Sequence, residues 1–161
     1  MLYRPLGKTG LQVSAISLGT EYVWHESEER VAEVVRAAVD AGINYIDIFM
    51  GTPSTRENIG KALKGIRHKV HLAGHLGCAD LDGQYVKVRE EGLCRAFLEQ
   101  FYEKLDTDYI DVLFLHNCDA LDDLNEIMDG WMYAYAKELK DSGRAGFIGF
   151  SSHNTKVAWR R

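Results

Sequence analysis

The feature that most restricts this chain is an alternation. Short, nearly continuous apolar runs rich in β-branched and aromatic residues are each followed by a longer stretch with helical periodicity. That is the pattern of βαβ units, whose parallel strands are covered by helices and tolerate few polar residues. Runs at 15–18, 45–49, 70–73, 109–115 and 147–150 predict five parallel strands. Val31, Val34, Val35, Ala38 and Val39 fall on one helix face, with Ser27 as N-cap and Gly42 as stop. Ser54-Thr55-Arg56-Glu57 predicts a capping box opening a second helix that ends near Gly65. Leu93, Phe97, Phe101 and Leu105 mark a third helix. Leu124, Ile127, Met128, Trp131, Tyr135 and Leu139 predict a single fourth before Gly143. Ahead of them, residues 2–4 and 11–13 around Gly7-Lys8-Thr9-Gly10 predict a small β-hairpin suited to plugging one end of a barrel.

No linker, low-complexity tract or charge block divides the 161 residues, so a single α/β domain over 1–161 is expected. A hydrophobic share of 46% with only 2 Pro excludes a disordered or collagenous chain. Lys and Arg number 19 against 24 Asp and Glu, a net charge of -5, which argues against nucleic-acid binding. No apolar run approaches the roughly 18 residues of a membrane span, and the opening residues lack a signal-peptide core, so a cytoplasmic location is expected. Cys78, Cys94 and Cys118 fit neither CxxC nor a zinc-finger spacing and are read as reduced, partly buried thiols.

In parallel α/β barrels the chemistry sits at the C-terminal ends of the strands. Asp47 interrupts the second apolar run, His75 follows the third, His116 closes the fourth, and Ser151-Ser152 follows the fifth. If the sheet curls, these converge. A carboxylate in an apolar strand is unfavourable unless paired, and two imidazoles beside it suit proton transfer. Asp111 lies five residues before His116, about 16 Å at roughly 3.3 Å per residue, and belongs at the other end of its strand. Asp47, His75 and His116 would also serve as a two-His, one-carboxylate metal set, although no HxH or HExxH signature accompanies them. His25, His68, His71 and His153 carry no functional reading. The Asp119, Asp122 and Asp123 cluster reads as a solvated helix entry.

Several ordered motifs carry a resemblance. Arg4-Pro5-Leu6-Gly7-Lys8-Thr9-Gly10-Leu11-Gln12-Val13-Ser14, Leu18-Gly19-Thr20, Tyr45-Ile46-Asp47, Asn58-Ile59-Gly60-Lys61-Ala62-Leu63-Lys64, Asp108-Tyr109-Ile110-Asp111 and Gly149-Phe150-Ser151-Ser152 follow in sequence. Together they resemble the N-terminal part of an aldo-keto reductase. The resemblance implies a (β/α)8 barrel that binds NADPH or NADH and passes hydride to an aldehyde or ketone. It also implies a tetrad of Asp, Tyr, Lys and His. Asp47 matches the aspartate and His116 the histidine; His75 stands at the lysine position, and Met50 lies nearest the tyrosine after a shortened loop. Methionine cannot donate a proton, so His75 or His116 is expected to act as the acid. Thr20 and Asp47 would contact the nicotinamide ribose region, and Ser151 and Ser152 the carboxamide.

The segments around 47–53, 74–77 and 151–154 are similar to a subgroup often carrying a C-terminal ferredoxin-like iron-sulfur segment, which suggests electron transfer to a redox partner. No CxxCxxC run lies within this chain. Eight βα units need about 250 residues, so a partial barrel lacking its last three units is expected, with NADP(H) or NAD(H) weakly bound. An open sheet edge invites self-association. Two alternatives remain at this point: a catalytically inactive partial barrel that acts through association, and a metal-assisted hydrolase or lyase.

Overall fold

A computed structural model describes residues 1–159. The chain opens on an antiparallel hairpin, β1 (Tyr3–Pro5) and β2 (Gln12–Ser14), with Tyr3 opposite Ser14, as its sequence predicts. Parallel structure then begins at β3 (Leu18–Gly19), later than expected. The Ser14 hydroxyl donates to the Ile16 carbonyl and the Ser14 amide to Asn44, holding residues 14–16 in a corner instead of a strand. Helix α1 (Glu28–Asp40) is capped by Ser27, whose hydroxyl accepts the Arg30 amide.

After β4 (Tyr45–Ile48), helix α2 (Pro53–Leu63) starts one residue before the expected capping box. Thr52 holds the N-cap position with Pro53 in the first turn, where a missing N–H does no harm. Ser54 is no cap. The Thr52 hydroxyl turns away to Asp80 and accepts the Trp24 indole N–H. Strand β5 (His71–Leu76) leads into a hairpin the sequence reading did not anticipate, β6 (Cys78–Leu81) and β7 (Gln84–Lys87). Its turn is Asp82-Gly83, both at positive φ, the chemistry a two-residue hairpin loop demands.

Helix α3 (Glu91–Leu105) and strand β8 (Ile110–Leu115) follow. The expected single fourth helix is two, α4 (Leu121–Asp129) and α5 (Trp131–Asp141). Gly130 between them is extended, and the apolar stripe runs across the break because both helices face the same core. Strand β9 (Ala145–Phe150) and the short α6 (Thr155–Ala158) close the described residues.

The parallel sheet runs β3-β4-β5-β8-β9, five strands among the described residues. Helices α1, α2 and α3 pack in sequence, α3 lies on β5, and α5 covers β8 and β9. Ile46, Ile48, Leu72, Leu76, Leu113 and Leu115 are buried in the shared core. All three cysteines are free and buried, and burial pushes the Cys78 thiol up to about 12.

Arg56 of α2 is the largest fully buried side chain among the described residues. Its Nε donates to the Met50 carbonyl at 2.8 Å, and Nη1 donates to the Phe97 carbonyl at 2.5 Å and to Gln100 at 3.0 Å. Burial lowers its pKa to about 10, so it remains charged at neutral pH. One side chain thus ties the loop after β4 to α3. Arg56→Leu is expected to lower the unfolding free energy by about 3 kcal/mol, because buried acceptors lose their donor. Urea unfolding of the two proteins checks this, and a change below about 1 kcal/mol would contradict it.

Candidate active site

Strand register builds the site. Asp47 pairs with Ala73, and His75 lies two residues further along β5 on the same face. His75 pairs with Phe114, and His116 lies two residues beyond that. Each step moves one strand across and two residues up, so the three side chains rise along a diagonal across tilted strands. The His116 amide donates to the Leu76 carbonyl at 2.9 Å, carrying the ladder past the end of β8.

The diagonal is hydrogen-bonded throughout. His75 Nε2 lies 2.8 Å from Asp47 Oδ1, and His75 Nδ1 lies 2.9 Å from His116 Nδ1. His116 Nε2 in turn lies 2.7 Å from the Tyr85 hydroxyl at the near end of β7. An ionised carboxylate only accepts, so with both imidazoles neutral the protons are assigned in one sense. His75 Nε2–H donates to Asp47, His116 Nδ1–H donates to His75, and the Tyr85 O–H donates to His116. The two histidines are 6% and 5% exposed, whereas the Asp47 side chain and Tyr85 are 38% and 37% exposed. The ends of the chain meet the surface; its middle does not.

Burial, followed by the positive charge that His75, Arg89 and Lys87 bring near, holds the His116 imidazole down at about 3. Burial also raises the Tyr85 phenol above its ordinary range, which keeps it protonated. Phe49 stands against both rings and Tyr85, with centroid distances of 6.2, 6.1 and 6.0 Å. Phe114 meets His75 from the next strand at 5.1 Å.

Asp47, Phe49, His75, Tyr85 and His116 line a cleft of about 470 Å³ that also takes in Trp24, Met50, Asn117 and Ser151. Asp47, His75 and His116 are therefore brought together, as the sequence reading required. Ser151 lines the cleft and its oxygen accepts the Asn117 amide at 2.8 Å. Ser152 also lines it, but its hydroxyl donates to Asp119 at 3.2 Å. Thr20 is not brought in: it is fully buried, and its hydroxyl and amide both donate to the Asp47 carbonyl, behind the site. The sequence reading missed Tyr85. The one local signal available was the Asp82-Gly83 turn itself.

Two expectations about charge also change. Asp123 is not simply solvated, since it binds Lys87 at 2.8 Å and Arg89 at 2.9 Å, and those hydrogen bonds hold its carboxyl down at about 2. Asp119 accepts the His153 amide at 2.6 Å and so shapes the loop after β9. At the far end of the sheet Asp111 binds His71 and Arg67, each at 3.0 Å, where the spacing from His116 put it.

Comparison with known proteins decides the family. The model of the aldo/keto reductase family matches residues 15–160. The chain belongs to that family. It is 32% identical to aldo-keto reductase YhdN of Bacillus subtilis, covering 94% of this chain and 47% of that protein. It is 28% identical to L-glyceraldehyde 3-phosphate reductase of Escherichia coli, covering 96% of this chain and 46% of the relative. A solved Pseudomonas aeruginosa structure assigned to the aldo-keto reductases superposes with a TM-score of 0.84 at 30% identity, over 99% of this chain and 63% of the other. The holo form of aldo-keto reductase AKR11C1 from Bacillus halodurans gives 0.81 at 26% identity, over 99% and 53%. The chain spans about half the length of the curated relatives it matches. Its sheet is a partial TIM barrel.

In this aldo/keto reductase chain the Asp47, His75 and His116 groups form a line, with both His75 nitrogens taken up inside it. Among the described residues no group of three or more His, Cys, Asp and Glu side chains is arranged to hold a metal ion. No helix among them is long and apolar enough to cross a membrane.

A depressed histidine leaves a signature in stability. His116 titrates at about 3 when folded and near 6.5 when unfolded, so the unfolded chain binds more protons in that window. Stability is expected to be complete above about pH 6.5 and to fall toward pH 3, by at most about 1.4 kcal/mol per unit. Urea unfolding of wild type and His116→Gln between about pH 4 and 7 checks this. The variant should show the shallower slope; equal slopes would contradict the assignment.

Proposed function

We propose that this chain belongs to an NAD(P)(H)-linked oxidoreductase that reduces a small carbonyl compound, with Asp47, His75 and His116 as its proton relay. The observation that carries the reading is the unbroken hydrogen-bonded line from a carboxylate to the mouth of the cleft.

The cleft suits the nicotinamide end of a dinucleotide. At about 470 Å³ it is in the range of small-molecule sites, with Trp24, Phe49 and Met50 as an apolar wall for a flat ring. Ser151 accepts from the Asn117 amide and keeps its own hydroxyl proton for a carboxamide oxygen. Among the described residues no Lys or Arg lines the cleft, so a pyrophosphate meets little positive charge from them and weak binding is expected. When bound, the dinucleotide supplies the hydride.

The residues of the chain manage the proton. One proton added to the relay resides on His75, where Asp47 stabilises an imidazolium from 2.8 Å, because burial and its cationic neighbours disfavour charge on His116. Both His75 nitrogens then donate, one to Asp47 and one to His116, and His116 Nε2 becomes a donor directed to the rim. The added proton reverses the sense of the line. Phe49 and Phe114 shield both imidazoles from water. By the family resemblance His75 stands at the usual lysine position and Met50 lies nearest the usual tyrosine, and this relay takes over their task.

Titrating NADPH while following nicotinamide fluorescence should show weak, saturable binding. With 4-nitrobenzaldehyde as the carbonyl probe, His75→Ala should reduce turnover about 100-fold while leaving NADPH binding in place. No binding at millimolar NADPH, or full turnover by the variant, would count against the reading. Among the described residues β3 and β9 each pair with one neighbour in the sheet, so the 161-residue chain alone is also expected to self-associate. A monodisperse monomer in light scattering would contradict that.

A further inference from the structure

Neither histidine has a ring nitrogen left for a substrate. Both nitrogens of His75 are spent on Asp47 and His116, and both nitrogens of His116 on His75 and Tyr85. Only the two end residues of the line are substantially exposed, Asp47 and Tyr85, and the Tyr85 phenol also has the Asn117 side chain within hydrogen-bond reach. An ionised carboxylate has no proton to donate. The donor end of the line is therefore a phenol on the β6–β7 hairpin, contributed by none of the strands of the parallel sheet.

We propose that Tyr85 is the catalytic residue that hands the proton to the carbonyl oxygen, and takes it back when the reaction runs toward the carbonyl. The inference rests on the oxidoreductase reading above and adds the group that touches substrate. Tyr85 lines the cleft beside Phe49 and Asn117. In the neutral relay its O–H points inward to His116 Nε2, so its lone pairs face the cleft and suit acceptance from an alcohol. In the protonated relay His116 Nε2–H donates to the Tyr85 oxygen, and the Tyr85 O–H is released toward the cleft.

The step balances. As hydride supplied by the reduced dinucleotide reaches the carbonyl carbon, the C=O π pair moves to oxygen and the carbonyl is reduced by two electrons. The Tyr85 O–H bond breaks, and its proton joins that oxygen. The proton of His116 Nε2 passes to Tyr85, and that of His75 Nδ1 passes to His116 Nδ1. His75 ends neutral, still donating from Nε2 to Asp47, and the relay is again in its accepting sense.

The hairpin is fixed well enough for this role. Asp80 bonds to Thr52 and accepts the Gly83 amide at 2.8 Å, while Lys87 is bound to Asp123 and to the Asn117 carbonyl, each at 2.8 Å. None of these anchors uses the Tyr85 ring, so the hydroxyl can be removed without dismantling its support.

Two measurements with the full chain test the proposal. The first needs no turnover: the carbonyl ¹³C resonance of labelled 4-nitrobenzaldehyde, bound without NADPH, should move downfield through a hydrogen bond from Tyr85 as the pH is lowered and the relay takes up its proton. Tyr85→Phe should abolish that shift. In the second, Tyr85→Phe should reduce turnover of the same aldehyde about 100-fold with NADPH affinity unchanged. Site-specific fluorotyrosine at 85, which keeps the ring and its packing, should alter the rate through the phenol's acidity. Absence of the shift with wild type, the same shift in both proteins, or turnover by Tyr85→Phe at more than half the wild-type rate would overturn the proposal. His75→Ala, run alongside, separates the two readings. If it is inactive while Tyr85→Phe is active, the relay stands and Tyr85 is not its outlet; if both are active, the relay falls as well.

Discussion

Parallel strand register is the constraint on which everything else depends. Fixing Asp47 opposite Ala73 and His75 opposite Phe114 determines where every inward side chain lies, because a slip of one residue would turn each to the other face. The offset of two residues per strand then lets imidazoles reach diagonally. A flat alignment would set the three groups side by side, competing for the same space. The staircase gives each a neighbour at hydrogen-bond distance and ends at the rim, where a bound molecule can be met.

Electrostatics reinforces this geometry. A buried pair of imidazoles is unfavourable if either must carry charge alone, and the site answers by placing its anion at one end only. His116, the member away from Asp47, is held neutral by its surroundings, while His75 touches the carboxylate. The hydrogen-bonded line thereby has two unlike ends, set by solvation and charge. The ion pairs of Asp123 with Lys87 and Arg89 stand beside it and keep further positive charge near His116.

Much of this was legible in the amino-acid sequence. The apolar runs and helical stripes located the parallel strands, and polar residues at their ends picked out Asp47, His75 and His116 before any geometry was known. Legibility failed where a local signal competed with a tertiary one. Ser54 looked like a cap, yet Pro53 and the engagement of Thr52 with Trp24 and Asp80 moved the helix start upstream. The stripe through Trp131 read as one helix because α4 and α5 share a core, and periodicity alone does not register the extended Gly130. Thr20 matched a motif that places it at a ligand, but its hydroxyl faces the Asp47 backbone. Tyr85 was overlooked because a four-residue strand with one half-buried position carries almost no periodic signal.

The loop after β4 is pressed against the hairpin so closely that a Cβ on Gly51 would lie 2.5 Å from the Ala79 carbonyl carbon and the Asp80 amide nitrogen. The two segments thus occupy one volume between them. A side chain at position 51 would have to displace β6, and with it the hairpin that carries Tyr85, so the smallness of one loop residue sets how near the phenol stands to the imidazoles.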